Sequence, residues 1–450
     1  MLPHAPVPNP DTPSLSDQIL AAAHAVRAVL AGQSLSDSLA RTPAAQRAAA
    51  QALSFHTMRR LGLARALQRR LVARAPADPL AQALLLLGLC LMDASLDQAA
   101  GQARDQATHI PVYAPHTVVH QTVAAAGRDR RCRPVKGLIN AVLRRYARER
   151  AALLAQVADD PEARWNHPAW WVDALRNAWP AHWEALLAAA DLPGPLVLRA
   201  NARRTTPAQL RDRFTAEGIA SRLAGEDGLL LPRPRPVHEI PGYAEGLWSV
   251  QDLSAQRAAR LLPLADGMRV LDACAAPGGK TAHMLERHAL RLTAIDSDEQ
   301  RLARIAQNLD RLGLSGPQIA LRCADAADPA SWWDGQAFDA ILADVPCTAS
   351  GIVRRHPDIR WLRRPDDLPR TARLQARIAD ALWPLLRPGG HLLYATCSIF
   401  PLECEDQIRA FLERHPEARR LPAPGQILPL PGPDGETGDG FFYALIAKPV

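Results

Sequence analysis

Residues 270–281, VLDACAAPGGKT, constrain the fold of this chain more than any other stretch. The apolar run Met268–Leu271 ends in Asp272, Gly278 and Gly279 interrupt it, and helical spacing resumes at Thr281. This order predicts a strand, a tight loop and a helix. Adjacent glycines let a ligand approach the backbone at a helix N-terminus, whose free N–H groups favour electron-rich groups. We therefore expect a nucleotide-like cofactor here, and an ordinary strand-to-helix turn is the alternative.

Two phosphate-binding motifs do not fit this loop. The phosphate loop of nucleotide hydrolases needs a glycine six residues before its lysine, where this chain has Cys274 before Lys280. The stretch also contains no G-x-G-x-x-G of a dinucleotide-binding fold.

The cysteines and the apolar runs of the sequence indicate the cellular compartment of the protein. The chain has 7 cysteines without a C-x-x-C pair or the His and Cys spacing of a zinc site, so neither disulfides nor a metal are expected. The amino terminus lacks a basic segment followed by an apolar core, and the apolar run Ala83–Met92 is too short to cross a bilayer. We expect a cytoplasmic protein without a membrane partner.

Positive charge is concentrated in the first third of the chain. Residues 1–150 hold 19 Lys and Arg against 9 Asp and Glu, a net +10, and the remaining 300 residues sum to −3. The asymmetry indicates a polyanion partner, with solvated arginine-rich helix faces as the alternative.

We divide the chain into four segments. Residues 1–13 are a predicted disordered leader, and residues 14–160 have helical spacing throughout. Residues 161–245 are predicted to form a small connecting α+β region, and in residues 246–450 strands alternate with helices, as in a parallel sheet with helices on both faces.

The helical segment carries the main basic loop. We predict a first helix whose start Ser16 or Asp17 can cap, a helical stretch over Gln51–Arg74, and a buried helix Asp78–Met92 in the middle of a bundle. The loop of residues 127–134 is the best candidate for phosphate contacts, through Arg128, Arg130, Arg131 and Arg133.

Acidic residues follow the predicted strands, where such sheets bind ligands. Asp296 ends the second strand and can accept hydrogen bonds from both ribose hydroxyls, and Asp325 follows the third and is placed to receive an adenine amino group. Either could instead cap a helix. Because no residue offers to bind a pyrophosphate, the expected cofactor is S-adenosylmethionine.

Two cysteines follow the fourth and fifth predicted strands. If those strands are neighbours, about 5 Å apart, Cys347 and Cys397 face one crevice beside the cofactor loop. A thiolate that adds to carbon 6 of cytosine makes carbon 5 able to accept a methyl group, and a second group then helps to remove the proton and release the enzyme. A buried structural role is the alternative for each cysteine.

Four motifs together resemble the RNA cytosine-5 methyltransferases. They are DACAAPGGKT at 272–281, DVPCT at 344–348, RRHPDIRW at 354–361 and YATCS at 394–398. The apolar run 84–89 followed by GLINAVLRR at 137–145 is similar to the RNA-binding helical domain named after the antitermination factor NusB. The resemblance implies an all-α NusB-like bundle, a small α+β linker domain and a Rossmann-like S-adenosylmethionine-dependent methyltransferase domain.

The resemblance also implies roles for individual residues. Cys397 is the implied nucleophile and Cys347 assists proton removal and release, whereas DNA enzymes attack with the cysteine of the Pro-Cys motif. The implied partner is 16S ribosomal RNA, naked or in early assembly. The implied cofactor contacts are Cys274, Ala275, Ala276, Pro277, Gly278, Gly279, Lys280, Asp296, Asp325 and Asp344.

Two departures from the family pattern remove no catalytic group: Ala349 stands where Gly or Ser is common, and Cys404 where Asn is more usual. A predicted loop from Arg354 to Arg377, with 8 arginines that include Arg355, is expected to follow the RNA backbone. Three other functions stay open: methylation of another rRNA or tRNA site, a non-catalytic RNA-binding or antitermination protein, and a small-molecule methyltransferase.

Overall fold

The computed structural model describes residues 13–99, 112–233, 235–432 and 437–450. The chain clusters into two compact units: Met1–Pro193 with Val353–Arg364, and Gly194–Ile352 with Pro365–Val450. The predicted leader, apart from Pro13, lies outside the described residues. The α+β region predicted at 161–245 is divided at the Pro193–Gly194 boundary, so its helices before Pro193 cluster with the first unit, and its later helix and its strands cluster with the second.

The helices of the described residues are, in chain order, α1 (Leu15–Leu30), α2 (Leu35–Ala40), α3 (Ala44–Met58), α4 (Leu61–Leu71), α5 (Pro79–Ala99), α6 (Pro115–Arg128), α7 (Lys136–Val157), α8 (Pro161–Trp165), α9 (Ala169–Ala178), α10 (Trp183–Ala190), α11 (Pro207–Ala216), α12 (Leu253–Gln256), α13 (Ala258–Leu261), α14 (Gly279–Arg287), α15 (Glu299–Leu312), α16 (Ile359–Leu362), α17 (Asp367–Leu382) and α18 (Glu405–Arg414). The strands are β1 (Leu196–Ala200), β2 (Arg222–Ala224), β3 (Gly228–Leu231), β4 (Trp248–Val250), β5 (Arg269–Ala273), β6 (Arg291–Asp296), β7 (Ile319–Cys323), β8 (Phe338–Asp344), β9 (Leu386–Thr396), β10 (Arg419–Ile427) and β11 (Phe441–Ala447).

The first unit is helical in its described part, and α5 is its core helix. Leu84, Leu85, Leu86 and Leu87 are all 0% exposed, because apolar residues on every side of a helix require burial on every side. The stretch Pro79–Gln98 is long and apolar enough to cross a membrane, yet most of it is buried inside the protein. The prediction of a buried helix in the middle of the bundle is confirmed.

Two details of the predicted bundle are wrong. The N-cap of α1 is Ser14, whose hydroxyl accepts from the Asp17 N–H in a capping box, rather than Ser16 or Asp17 itself. The predicted helix over 51–74 is two helices, α3 and α4. Asn166 stabilises the break, because its side chain accepts from the Gly62 N–H at 2.8 Å and donates to the Met58 carbonyl at 3.2 Å.

The segment Val353–Arg364 packs within the first unit. The fully buried Arg360 pairs with Asp191 at 2.5 Å, and the Trp361 indole N–H donates to the Met58 carbonyl at 2.8 Å. Arg354 is only 6% exposed, and Arg355 is half-buried. The prediction of one continuous loop from Arg354 to Arg377 is therefore wrong, because its first part packs within the first unit and residues 367–382 form α17. Its contact with RNA stays a prediction.

The described residues of the second unit form two sheets. A small antiparallel sheet has the order β2-β3-β1-β4, and a seven-stranded sheet has the order β10-β11-β9-β8-β5-β6-β7. The strands β7, β6, β5, β8 and β9 run parallel, and β11 pairs antiparallel with β9. Apolar clusters that include α14 and α15, and α17 and α18, line the large sheet. The predicted Rossmann-like layering and the adjacency of the fourth and fifth strands of this sheet are confirmed.

The edge strand of this sheet is β10, Arg419–Ile427, which includes Pro422, Pro424 and Gly425. Prolines lower strand propensity, but an edge strand tolerates them because one of its sides needs no partner. The pairing with β11 shifts register between Leu421 and Gly425.

Candidate active site

The predicted cofactor loop joins β5 to α14. Cys274 has φ +62° and Gly278 has φ +90°, both in the left-handed region. A Cβ on Gly278 would lie 2.9 Å from Ile305 Cγ2, so this position requires glycine for conformation and for space. The loop therefore brings its backbone to the N-terminus of α14, as the sequence predicted.

Asp296, the last residue of β6, binds the backbone of this loop through its carboxylate. Its Oδ2 accepts from the Ala276 N–H and its Oδ1 from the Asp298 N–H, each at 3.1 Å. The alternative in which Asp296 caps a helix does not apply, because Asp298 is the N-cap of α15 and accepts from the Arg301 N–H at 3.0 Å. The carboxylate keeps lone pairs for further donors.

Asp325 has a more open position than Asp296. It is exposed, and its Oδ1 accepts from the Ala327 N–H at 2.9 Å, which forms a local turn of the kind that Asp favours.

Lys280 and Asp344 form an ion pair behind the loop. Lys280 Nζ lies 2.6 Å from Asp344 Oδ2 and 5.0 Å from the centroid of the Phe441 ring. Burial lowers the pKa of Lys280, but the charge and hydrogen bond of Asp344 outweigh it, and the pKa lies above its usual value. Because the Lys280 ammonium is paired with Asp344, it is not available to bind a phosphate group. This agrees with the predicted cofactor, which carries no phosphate.

The two cysteines of the fourth and fifth strands of this sheet meet. Cys347 follows β8, Cys397 follows β9, and their sulfur atoms lie 3.3 Å apart as free thiols. The strands pair in parallel, with Asp344 opposite Ala395, so their carboxyl ends point to the same edge. The structure thus brings together the two residues that the sequence assigned to one crevice.

The surroundings of the two thiols differ in charge. The hydrogen bond with Cys397, burial, and the negative charges of Cys397 and Glu403 raise the pKa of Cys347 well above its usual value. The Lys280 ammonium lies within electrostatic reach of Cys397, whose charge is one of the causes that raise the pKa of Lys280. The two thiols therefore have different charged neighbours, Glu403 for Cys347 and Lys280 for Cys397.

Sequence reasoning missed two groups that support the site. Glu403 is 0% exposed and binds the residues that follow both cysteines. The sequence marks its neighbour Cys404 as a departure from the family pattern but carries no signal for Glu403 itself. Arg199 is also 0% exposed; it pairs with Glu286 at 2.7 Å and donates to the Gly279 carbonyl at 2.8 Å. No sequence signal distinguishes Arg199 from the other arginines.

The basic loop is exposed at Arg128, Arg130, Arg131 and Arg133. Two of these arginines form ion pairs within the protein: Arg128 lies 3.2 Å from Asp17, and Arg131 lies 2.8 Å from Asp129. Arg133 donates to the Gly127 carbonyl at 3.4 Å. In the described part of the chain, no group of three or more potential metal ligands is found.

The fold and the site define a Rossmann-like methyltransferase. A family model described as "16S rRNA methyltransferase RsmB/F" matches residues 259–447, and one described as "Methyltr_RsmF/B-like, ferredoxin-like domain" matches residues 167–238. The ferredoxin-like match includes β1, α11, β2 and β3.

Two relatives and one solved structure are similar to this chain over most of its length. The chain is 43% identical over 95% of its length to the Ribosomal RNA small subunit methyltransferase B of Pseudomonas putida, and covers 98% of it. It is 46% identical over 74% of its length to the protein of the same name from Vibrio cholerae, and covers 77% of it. The structure titled "Crystal Structure of PH0851" superposes on 97% of this chain and 99% of its own, with a TM-score of 0.75 and 22% identity.

The chain belongs to the RsmB/F family of 16S rRNA methyltransferases. Membership implies ribosomal RNA methylation and a cofactor of the S-adenosylmethionine type.

Proposed function

We propose that this protein transfers a methyl group from S-adenosylmethionine to carbon 5 of one cytosine in 16S ribosomal RNA, through a covalent adduct of Cys397 at carbon 6. The pair of free thiols 3.3 Å apart carries this proposal. Carbon 5 of cytosine is a poor nucleophile until carbon 6 has been attacked, so the chemistry needs one thiolate and one further proton-transfer group.

The unequal surroundings of the thiols support the assignment of roles. A cation near a cysteine suits a nucleophile, and Lys280 is a cation within electrostatic reach of Cys397. The hydrogen bond with Cys397, burial, and the charge of Cys397 raise the pKa of Cys347, so Cys347 holds its proton before the attack. When Cys397 forms its bond to carbon 6, that charge disappears and the thiol of Cys347 ionises more readily. Cys347 is then available to accept the proton from carbon 5.

The electron pairs balance in this scheme. The thiolate of Cys397 adds to carbon 6, and the electron pair of the 5,6 double bond forms the new bond from carbon 5 to the methyl group, which S-adenosylmethionine would supply as it becomes the neutral thioether S-adenosylhomocysteine. The thiol of Cys347 gives its proton to water, and the resulting thiolate takes the proton from carbon 5. Loss of that proton re-forms the double bond and expels the Cys397 thiolate.

The cofactor loop fits an adenosine with a sulfonium group, which supplies an electrophilic methyl group when bound. We assign Asp296 to the ribose hydroxyls, the backbone from Cys274 to Lys280 to the methionine side, Asp325 to the adenine, and Asp344 to the cofactor and the target base. The tight backbone at Gly278 and the buried carboxylate of Asp296 support this arrangement.

We also propose a place and a substrate form. The enzyme acts in the cytoplasm on naked or early-assembly 16S ribosomal RNA, which its first unit contacts through the exposed Arg130 and Arg133. The excess positive charge of residues 1–150 supports this partner.

Methyl transfer from radiolabelled S-adenosylmethionine tests the proposal. We expect transfer to naked 16S ribosomal RNA and none to DNA or free cytidine, with the product identified as 5-methylcytosine. Methylation at any other atom would refute the reaction, and methylation confined to assembled subunits would refute the substrate form.

Single cysteine variants test the roles. Cys397→Ala should lose transfer and form no covalent RNA complex, whereas Cys347→Ala should accumulate a protein–RNA band that survives denaturing electrophoresis. The double variant should show no band. The opposite pattern would assign the attack to Cys347.

A further inference from the structure

We propose that Glu403 is a positioning residue that holds the two cysteine loops together and thereby sets the spacing of the catalytic thiols. This inference rests on the proposed function, because that function assigns catalytic roles to the two thiols. Glu403 ends the short turn Pro401–Glu403 that precedes α18.

The carboxylate binds the residue that follows each cysteine. Oε1 accepts from the Thr348 backbone N–H at 2.7 Å, and Oε2 accepts from the Thr348 hydroxyl at 2.5 Å. Oε2 also accepts from the Ser398 hydroxyl at 2.5 Å. One side chain thus joins the neighbour of Cys347 to the neighbour of Cys397.

Secondary bonds show that these loops are held at several points. Ser350 and Ser398 hydroxyls lie 3.0 Å apart, and the Gly351 N–H donates to the Cys397 carbonyl at 2.8 Å. The Tyr394 hydroxyl donates to the Glu403 carbonyl at 3.0 Å. The carboxylate is the only one of these groups that binds residues adjacent to both cysteines.

Burial makes this arrangement rigid. Glu403, Thr348 and Ser398 are at most 1% exposed, so water does not compete for the three hydrogen bonds. A buried carboxylate without such donors is unfavourable, which fixes both loops in the geometry that supplies them. A misplacement of about 1 Å at a reacting group can lower a rate by about 100-fold.

The carboxylate also acts through its charge. The charge of Glu403 is one of the causes that raise the pKa of Cys347, so Glu403 opposes ionisation of that thiol in addition to positioning it.

The first test compares Glu403→Gln with Glu405→Gln in the full-length enzyme. Gln keeps the shape of Glu403 but cannot accept all three bonds, and Glu405 is a partly exposed residue on α18 that pairs with Arg420. We expect Glu403→Gln to lower kcat for methyl transfer about 10- to 100-fold, with KM for S-adenosylmethionine and affinity for RNA within about twofold. Glu405→Gln should leave kcat within about twofold.

The second test keeps the charge of Glu403 and covers the case in which Glu403→Gln does not fold. Thr348→Val removes the hydroxyl bond to Oε2, and Thr348→Ser retains it. Diamide, which takes up two protons and two electrons, should join Cys347 to Cys397 as a disulfide in the wild type and in Thr348→Ser, and several-fold more slowly in Thr348→Val. This readout needs no RNA and is followed by peptide mass spectrometry.

The outcomes separate this inference from the proposed function. Wild-type kcat in folded Glu403→Gln, or equal disulfide rates in Thr348→Val and Thr348→Ser, would overturn the positioning role. Methyl transfer by Cys397→Ala would instead overturn the proposed function, whatever the Glu403 variants do.

Discussion

Replacing Asp272 by Asn should stabilise the protein progressively as the pH rises towards 8. Asp272 ends β5 and is 0% exposed. Its Oδ2 accepts from the Thr281 hydroxyl at 2.6 Å, and its Oδ1 has no hydrogen-bond partner among the described residues. Burial is the main cause that raises its pKa from 3.8 to about 7, and the hydrogen bond from Thr281 opposes the shift.

The sign and the size follow from proton linkage. Between pH 3.8 and about 7 the folded protein keeps a proton on Asp272 that the unfolded chain has released. The stability that Asp272 contributes is fully present below pH 3.8. Above that pH it falls by about 1.4 kcal/mol per pH unit, and it is lost as the pH rises through the folded pKa. The total loss in the free energy of unfolding is about 4 kcal/mol. Asn does not titrate, so the variant lacks this loss.

Thermal unfolding of the wild type and Asp272→Asn at pH 5, 6, 7 and 8 measures the effect. We expect the Tm of the variant minus that of the wild type to increase with pH and to level off near pH 8. Comparing the two proteins at each pH cancels the other titrating groups, and Asp298→Asn controls for the same substitution at an exposed helix cap. A Tm difference that stays constant or falls from pH 5 to 8 would show that Asp272 ionises in the folded protein as it does in the unfolded chain.

Three further predictions concern the cofactor and the RNA. Asp296→Ala should weaken S-adenosylmethionine binding by roughly 2 kcal/mol, or about 30-fold in Kd by calorimetry, since it loses hydrogen bonds to a charged group; unchanged affinity would limit Asp296 to loop structure. Gly278→Ala should lower the free energy of unfolding by at least about 1 kcal/mol in urea titrations, because φ is +90° and Ile305 occupies the space; wild-type stability would contradict this. Neutralising Arg130 and Arg133 should weaken RNA binding and lower its salt slope by about 2, with cofactor affinity unchanged; the wild-type salt slope would show that neither arginine contacts phosphate.

The sequence predicted the parts of this fold that depend on local pattern. Alternating strands and helices, the glycine loop and the positions of the strand ends follow from periodicity and turn residues, and the structure places Asp296, Asp344, Cys347 and Cys397 at one edge of the sheet. The position of a residue along its parallel strand determines which edge of the sheet it reaches. This arrangement can therefore be predicted without any knowledge of side-chain contacts.

The errors occur where distant residues decide the structure. The break between α3 and α4 depends on Asn166, which follows Gly62 by 104 residues. The burial of Arg360 depends on Asp191, 169 residues earlier in the chain. An arginine run resembles an exposed nucleic-acid surface in sequence, and only the acidic partner shows that Arg360 is structural.

The division of labour between the two cysteines shows the same limit most clearly. Their positions after adjacent strands were evident from the sequence, but two thiols 3.3 Å apart are chemically equivalent until their surroundings are known. The hydrogen bond with Cys397, burial, and the charge of Glu403 from the turn before α18 raise the pKa of Cys347, whereas Lys280, at the start of α14, lies within electrostatic reach of Cys397. Because Cys397 carries no charge once it is bonded to carbon 6, the first step of the proposed reaction removes one of the causes that raise the pKa of Cys347. That step thereby prepares the group that the last step requires.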